Sequence, residues 1–235
     1  MKTARWQKLL SLLCSLLILY WESVALPMSW EGVGSGMFVF YTENSNLFSA
    51  AACLLMAVFQ AAALVTGNEV PPWVKLLKYM SVCCLMLTFL TVVFALAPIY
   101  GPGGYSVLLL TSSMLYHHFL NPAVAFLALV LFERSPRLPR RAVAWAMAPT
   151  LLYGAAALAL NLARVIEGPY PFFRIYEQPV WCSCLWAAGL LGGSALINWT
   201  VWKASGGEKE GRRLAAFSRK SGAKSVSTQT RVPRV

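Results

Sequence analysis

Two short stretches carry the side chains that could do chemistry. In FVFYTENSNLFSAAACLL, residues 38–55, Thr42, Ser45, Asn46 and Ser49 recur at i, i+3, i+4 and i+7, the spacing that puts side chains on one face of a helix. In LLLTSSMLYHHFLNPAVAFL, residues 108–127, stand His117 and His118, the only two histidines of the chain. Asn121 follows His117 by four residues and His118 by three. Pro122 has no N–H, so in a helix the carbonyl of His118 loses its donor. Hydroxyls, amides and imidazoles are the groups that hydrogen-bond a polar ligand and exchange protons near neutrality. Plainer roles compete. Ser and Asn can bond helix to helix, worth about 1 kcal/mol each in a membrane. A histidine beside a proline kink can be satisfied by a neighbouring helix. Glu43 and Asn44 fall off the stripe, and Glu43 could sit solvated among headgroups at the helix mouth or turn inward toward a ligand.

The elements that must hold these groups are membrane helices. The chain has 235 residues, 58% hydrophobic and 12% charged, against about 25% charged in soluble domains. It has no Asp, and its nine acids are all Glu. Six apolar runs, at about 9–27, 38–65, 75–97, 106–132, 142–163 and 180–202, are each long enough to cross about 30 Å of hydrocarbon. Lipid offers no partner to backbone N–H and C=O, so runs of this length imply helices. The expectation is an all-α integral membrane protein, a six-helix bundle over 1–204. A basic tail at 205–235 is too polar to order itself.

Charge predicts orientation. Eighteen of the twenty Lys and Arg fall on the amino-terminal flank, the second and fourth connections and the tail; the other side holds Arg164 and Arg174. Such a bias places both termini in the cytoplasm of a cell-membrane protein. The net charge of +11 then reads as contact with anionic lipid rather than nucleic acid. Residues 1–25 loosely fit a secretory signal, but Trp21 and Glu22 crowd the cleavage region, and an uncleaved first helix is expected. The six cysteines lie in apolar runs and read as packing residues, with no disulfide framework, metal site or cofactor implied.

Depth bears on whether the two polar stretches meet. Both helices enter from the outer side. Thr42 lies about four residues into its run and His118 about twelve, an offset of about 12 Å at 1.5 Å per residue.

Four motifs carry a resemblance: Tyr-Thr-x-x-Ser-Asn-Leu at 41–47, His-x-x-x-Pro at 118–122, Pro-Thr-Leu-Leu-Tyr-Gly at 149–154 and Gly-Pro-Tyr-Pro-Phe-Phe at 168–173. In this order they resemble prokaryotic six-helix membrane proteins similar to the animal androgen-induced-gene family, which includes the androgen-dependent TFPI-regulating protein. The resemblance covers about residues 10–200. It implies an intramembrane hydrolase of fatty acid esters of hydroxy fatty acids, with Thr42 as nucleophile and His118, or its neighbour His117, as base. Asn46 or Asn121 would then face the oxyanion, with Ser45, Glu43 and Tyr153 toward a lipid-like substrate. A non-catalytic lipid or small-solute binder or transporter, and a membrane assembly subunit, are the alternatives that the same polar residues allow.

Overall fold

The computed structural model describes residues 3–134 and 137–207. Among these residues every regular element is helical, and six segments are long and apolar enough to cross a membrane. This is the make-up of a multi-pass membrane protein. The helices are α1 (Arg5–Val33), α2 (Tyr41–Thr66), α3 (Pro72–Thr91, continued to Ile99 by a widened turn), a short α4 (Gly104–Leu110), α5 (Ser112–Leu131), α6 (Ala142–Leu162) and α7 (Val180–Ala204). The six expected spans are present with shifted ends. The tail expected over 205–235 lies, from residue 208 on, outside the described residues.

Helix ends follow from local chemistry. α2 stops at Gly67, whose left-handed φ of 74° lets its N–H reach Ala63 O at 3.1 Å, the usual C-terminal role of glycine. Pro71 and Pro72 then start α3, because the first helical turn needs no N–H from proline. This start is three residues ahead of the expected one at about 75 and puts Lys75 and Lys78, counted with the second connection for the charge bias, inside the helix. Both lie in the first two turns of α3, at 2% and 0% exposure. Lys78 Nζ donates to Cys53 Sγ at 2.8 Å, and Glu133 Oε1 accepts from Ser11 Oγ at 2.8 Å. Burial raises the Glu133 carboxyl above its ordinary value. Lys8 pairs with Glu69 at 3.3 Å, and Arg134 donates to Ala204 O at 3.3 Å. The start of α1, the α2–α3 connection and the end of α7 therefore share one end of the bundle.

The core is built around α3. Half of its apolar stretch is buried (50%), against 6% for α7. Ile18, Cys53, Tyr79, Leu85, Leu129 and Trp202 meet there from five helices. α6 and α7 flank the bundle and expose Leu152, Trp181, Leu185 and Leu196, an outer face suited to lipid chains.

The fourth span departs from a plain helix, and this matters for the site. Thr111 is extended (φ −114°, ψ 141°) and Ser112 has φ +47°, a conformation rarely adopted outside glycine. The chain thus breaks between α4 and α5. At residues Leu115–Leu120 α5 widens into a π-turn, just ahead of Pro122. A widened i to i+5 turn accommodates the donor that proline lacks, and such turns concentrate at functional sites. Upstream, α4 packs so closely on the end of the third span that a Cβ on Gly104 would lie 2.2 Å from Ala97 O; only glycine fits.

Candidate active site

Thr42 is the second residue of α2, 6% exposed, following Phe40 in extended conformation. Its Oγ1 lies 3.1 Å from His118 Nε2. On its other side, His118 Nδ1 lies 2.6 Å from the carbonyl of Leu108. A carbonyl can only accept, so Nδ1 carries the proton and Nε2 presents its lone pair. The Thr42 hydroxyl therefore donates to His118. Leu108 O is free for this because the extended Thr111 turns away the N–H of Ser112, its partner in a continuous helix. The break between α4 and α5 is thus what orients the imidazole.

The expected 12 Å offset does not separate the pair. Counted from the observed starts, Thr42 is one residue into α2 and His118 six into α5, a gap of about 8 Å at 1.5 Å per residue. Helices starting at different depths close the rest.

Tyr170 completes the group. It comes from the 163–179 connection, inside the Gly-Pro-Tyr-Pro-Phe-Phe motif, and its type and position alone gave it no role. Its hydroxyl lies 3.3 Å from both Thr42 N and Thr42 Oγ1. The Thr42 N–H donates to the phenol oxygen, leaving the phenol proton free for an acceptor at Thr42. Burial pushes the Tyr170 phenol up to about 12, so it stays a donor at physiological pH. Its ring stacks on Phe172 at 5.0 Å and meets Phe40 edge-on at 5.9 Å. Thr42 also sits at the amino-terminal end of the 26-residue α2, where the helix dipole favours negative charge.

Thr42 opens onto a cavity of about 440 Å³ between α3, α6 and α7. Its walls are mainly apolar side chains such as Leu96, Leu158 and Leu190, with hydroxyls of threonine, tyrosine and Ser183 among them. Tyr153, expected on the substrate side, does line it, with its hydroxyl donating to Val39 O at 2.8 Å.

The other expected residues have different surroundings. Asn46 Nδ2 donates to Thr42 O at 2.9 Å and to His117 O at 3.3 Å, and Asn121 Nδ2 donates to Asn46 Oδ1 at 3.0 Å. Both amides tie α2 to α5 and leave no N–H for the Thr42 hydroxyl. Ser45 Oγ donates to Thr42 O at 2.9 Å and meets Thr88 Oγ1 at 3.1 Å. Asn46, Asn121 and Ser45 do not line the apolar cavity. Glu43 is not in a headgroup layer: it is 4% exposed and 3.9 Å from His117 Nδ1. His117 faces away from Thr42, with its Nε2 3.3 Å from Glu22 Oε2. Glu22 carried no role in the sequence reading; the signal for it was an acid standing alone inside the apolar run of α1.

Among the described residues no group of three or more His, Cys, Asp or Glu could hold a metal ion. No family model, curated protein or solved structure matches this chain.

Proposed function

We propose that this protein is a membrane-embedded hydrolase of long-chain esters, with Thr42 as nucleophile and His118 as general base. One observation carries the reading: a threonine hydroxyl 3.1 Å from an imidazole nitrogen whose ring is pinned on its far side, at the wall of an oily cavity of about 440 Å³. An unassisted hydroxyl is a poor nucleophile, and a base at hydrogen-bond distance activates it. Thr42 Oγ1 attacks the ester carbonyl while its proton passes to His118 Nε2. The carbonyl oxygen takes the negative charge and is met by the Tyr170 O–H and the positive end of α2. His118 returns the proton to the departing alkoxide, leaving an acyl-Thr42 ester. Water then attacks this ester, passing its proton through His118 to Thr42, and the acid departs.

The cavity accepts an acyl chain, and the mainly apolar lining excludes charged solutes. The resemblance to the androgen-induced-gene family supports fatty acid esters of hydroxy fatty acids as the substrate class. We further propose that both termini face the cytoplasm, in keeping with the charge bias, so that the cavity is entered from the outer leaflet. Labelling by a fluorophosphonate probe tests the nucleophile. The purified protein takes up the probe, and Thr42→Ala abolishes uptake; undiminished labelling of that variant removes Thr42 from the role.

A further inference from the structure

A second ionisable group, which the hydrolase reading does not use, lies beside the site. Glu22 of α1, His117 of α5 and Glu43 of α2 are 5%, 0% and 4% exposed. His117 Nε2 is 3.3 Å from Glu22 Oε2, and its Nδ1 is 3.9 Å from Glu43 Oε1. The two carboxylates therefore sit on opposite edges of one imidazole, in a line across three helices.

Polar atoms here are left wanting donors. Asn121 Nδ2 donates to Glu22 Oε2 at 3.2 Å, and Ser29 Oγ donates to Glu43 Oε1 at 3.4 Å. Glu22 Oε1 and Asn121 Oδ1 are buried without a partner, and neither ring nitrogen of His117 makes an aligned hydrogen bond. Charge is also unbalanced. The ion pairs of Glu22 and Glu43 among the described residues both go to His117. The neighbouring His118 is engaged by Thr42 and Leu108 O. From α4, Tyr105 gives its hydroxyl to Val93 O. α3 brings Thr88 level with Ser45, but its lysines are remote: Lys78 lies ten residues back, about 15 Å, and is engaged with Cys53.

We propose that Glu22, His117 and Glu43 form an intramembrane proton-binding array. Two carboxylates and a neutral imidazole carry two negative charges, and an unbalanced charge is strongly disfavoured in a low-dielectric interior. Two added protons neutralise the set, either as two carboxylic acids or as imidazolium, one carboxylate and one carboxylic acid. Every neutral form thus contains at least one protonated carboxyl. A proton is the fitting ligand because carboxylates on opposite ring edges cannot converge on a metal ion. Because the ring nitrogens face carboxylates on different helices, a proton taken at one nitrogen can leave from the other, and the array links α1 to α2 through exchangeable protons. It stands whether or not Thr42 is a nucleophile.

Infrared difference spectroscopy of the full-length protein in phosphatidylcholine nanodiscs tests this. The C=O stretch of a protonated carboxyl is distinct from carboxylate bands and shifts in D2O. Near neutral pH the wild type shows such a band, Glu22→Gln or Glu43→Gln removes or diminishes it, and Glu133→Gln and Thr42→Ala leave the array's share in place. Absence of any protonated-carboxyl band in the wild type, from mildly acid to mildly alkaline pH, overturns the proposal. So does a band that both Glu→Gln variants keep whole. Should Glu22→Gln fail to fold, the wild-type band and Glu43→Gln decide. A melting temperature raised by Na+ in the wild type but not in Glu43→Gln, with no protonated carboxyl at any pH, also overturns it and assigns a metal cation instead.

Discussion

Replacing Tyr170 by Phe isolates the part of the site that sequence motifs left without a role. The substitution deletes one hydroxyl, 3.3 Å from both Thr42 N and Thr42 Oγ1, and keeps the ring that packs on Phe172 and Phe40. Loss of one oxyanion donor lowers kcat by about 10²–10³. The resting distance exceeds the usual O–H···O separation of about 2.8 Å, so the bond must tighten as charge develops, and the lower figure applies: about 100-fold, or ~2.7 kcal/mol. Because the interaction strengthens in the transition state, the loss falls on kcat, and KM changes by less than about threefold. Hydrolysis of a long-chain fluorogenic ester in nanodiscs measures both, with Thr42→Ala as the baseline. The pH profile adds a check. Burial pushes the Tyr170 phenol up to about 12, so the donor proton remains throughout the working range and Tyr170 produces no alkaline fall in kcat. A Tyr170→Phe enzyme within twofold of wild type in kcat, or one whose loss lies wholly in KM, refutes the reasoning. So does an alkaline fall that the substitution abolishes.

Other perturbations probe the same architecture. His118→Ala removes the base, and kcat on the same ester falls by about 10²–10⁴, while circular dichroism retains the wild-type helix content. Gly154→Leu adds a side chain at a cavity-lining position where a Cβ meets nothing within 4 Å; each buried CH2 displaced costs about 0.8 kcal/mol, so long-chain substrates lose affinity steeply while short-chain esters keep their KM. Asn46→Ala leaves the carbonyl of His117 short of a donor and unties α2 from α5, costing about 1–3 kcal/mol, read as a lower melting temperature in detergent. Glu133→Leu removes the acid whose charge acts on the buried Lys75 and Lys78 and takes the acceptor from Ser11 Oγ, lowering the melting temperature, whereas Lys75→Met, Lys78→Met and Glu133→Leu together recover most of the loss; a triple variant less stable than Glu133→Leu would contradict this.

The spans were legible in the sequence because a membrane helix needs only length and apolar character, and all six runs hold such a helix in the structure. Thr42 and the stripe behind it were legible from i, i+3, i+4 periodicity, and the burial of Ser45, Asn46 and Ser49 at 3%, 1% and 0% follows that pattern. What was not legible depends on irregular backbone and on distance in the chain. Ser112 does not announce a φ of +47°, so the free carbonyl of Leu108 could not be foreseen. Glu43, one residue off the stripe, meets a histidine 74 positions further on, and Glu22 meets the same ring from a third helix. Lys75 and Lys78 were counted with the second connection although the third run was expected from about 75, because charge counting cannot say where a helix begins; Pro71 and Pro72 start it three residues earlier.

The two histidines show how much the irregular stretch accomplishes. Adjacent residues of a helix point about 100° apart, so two neighbouring imidazoles cannot serve one nucleophile. The break at Thr111 and Ser112 presents a carbonyl to His118, and the ring turns its other nitrogen to Thr42. His117 stands instead between carboxylates of α1 and α2. Of the amides expected at an oxyanion, Asn46 instead bonds the carbonyls of Thr42 and His117, and Asn121 bonds the side chains of Asn46 and Glu22. Closing the break with a continuous α4–α5 helix would return Leu108 O to Ser112 N–H. His118 would then lose its fixed tautomer, and the proposed hydrolysis would fail with the side chains of Thr42 and His118 still in place.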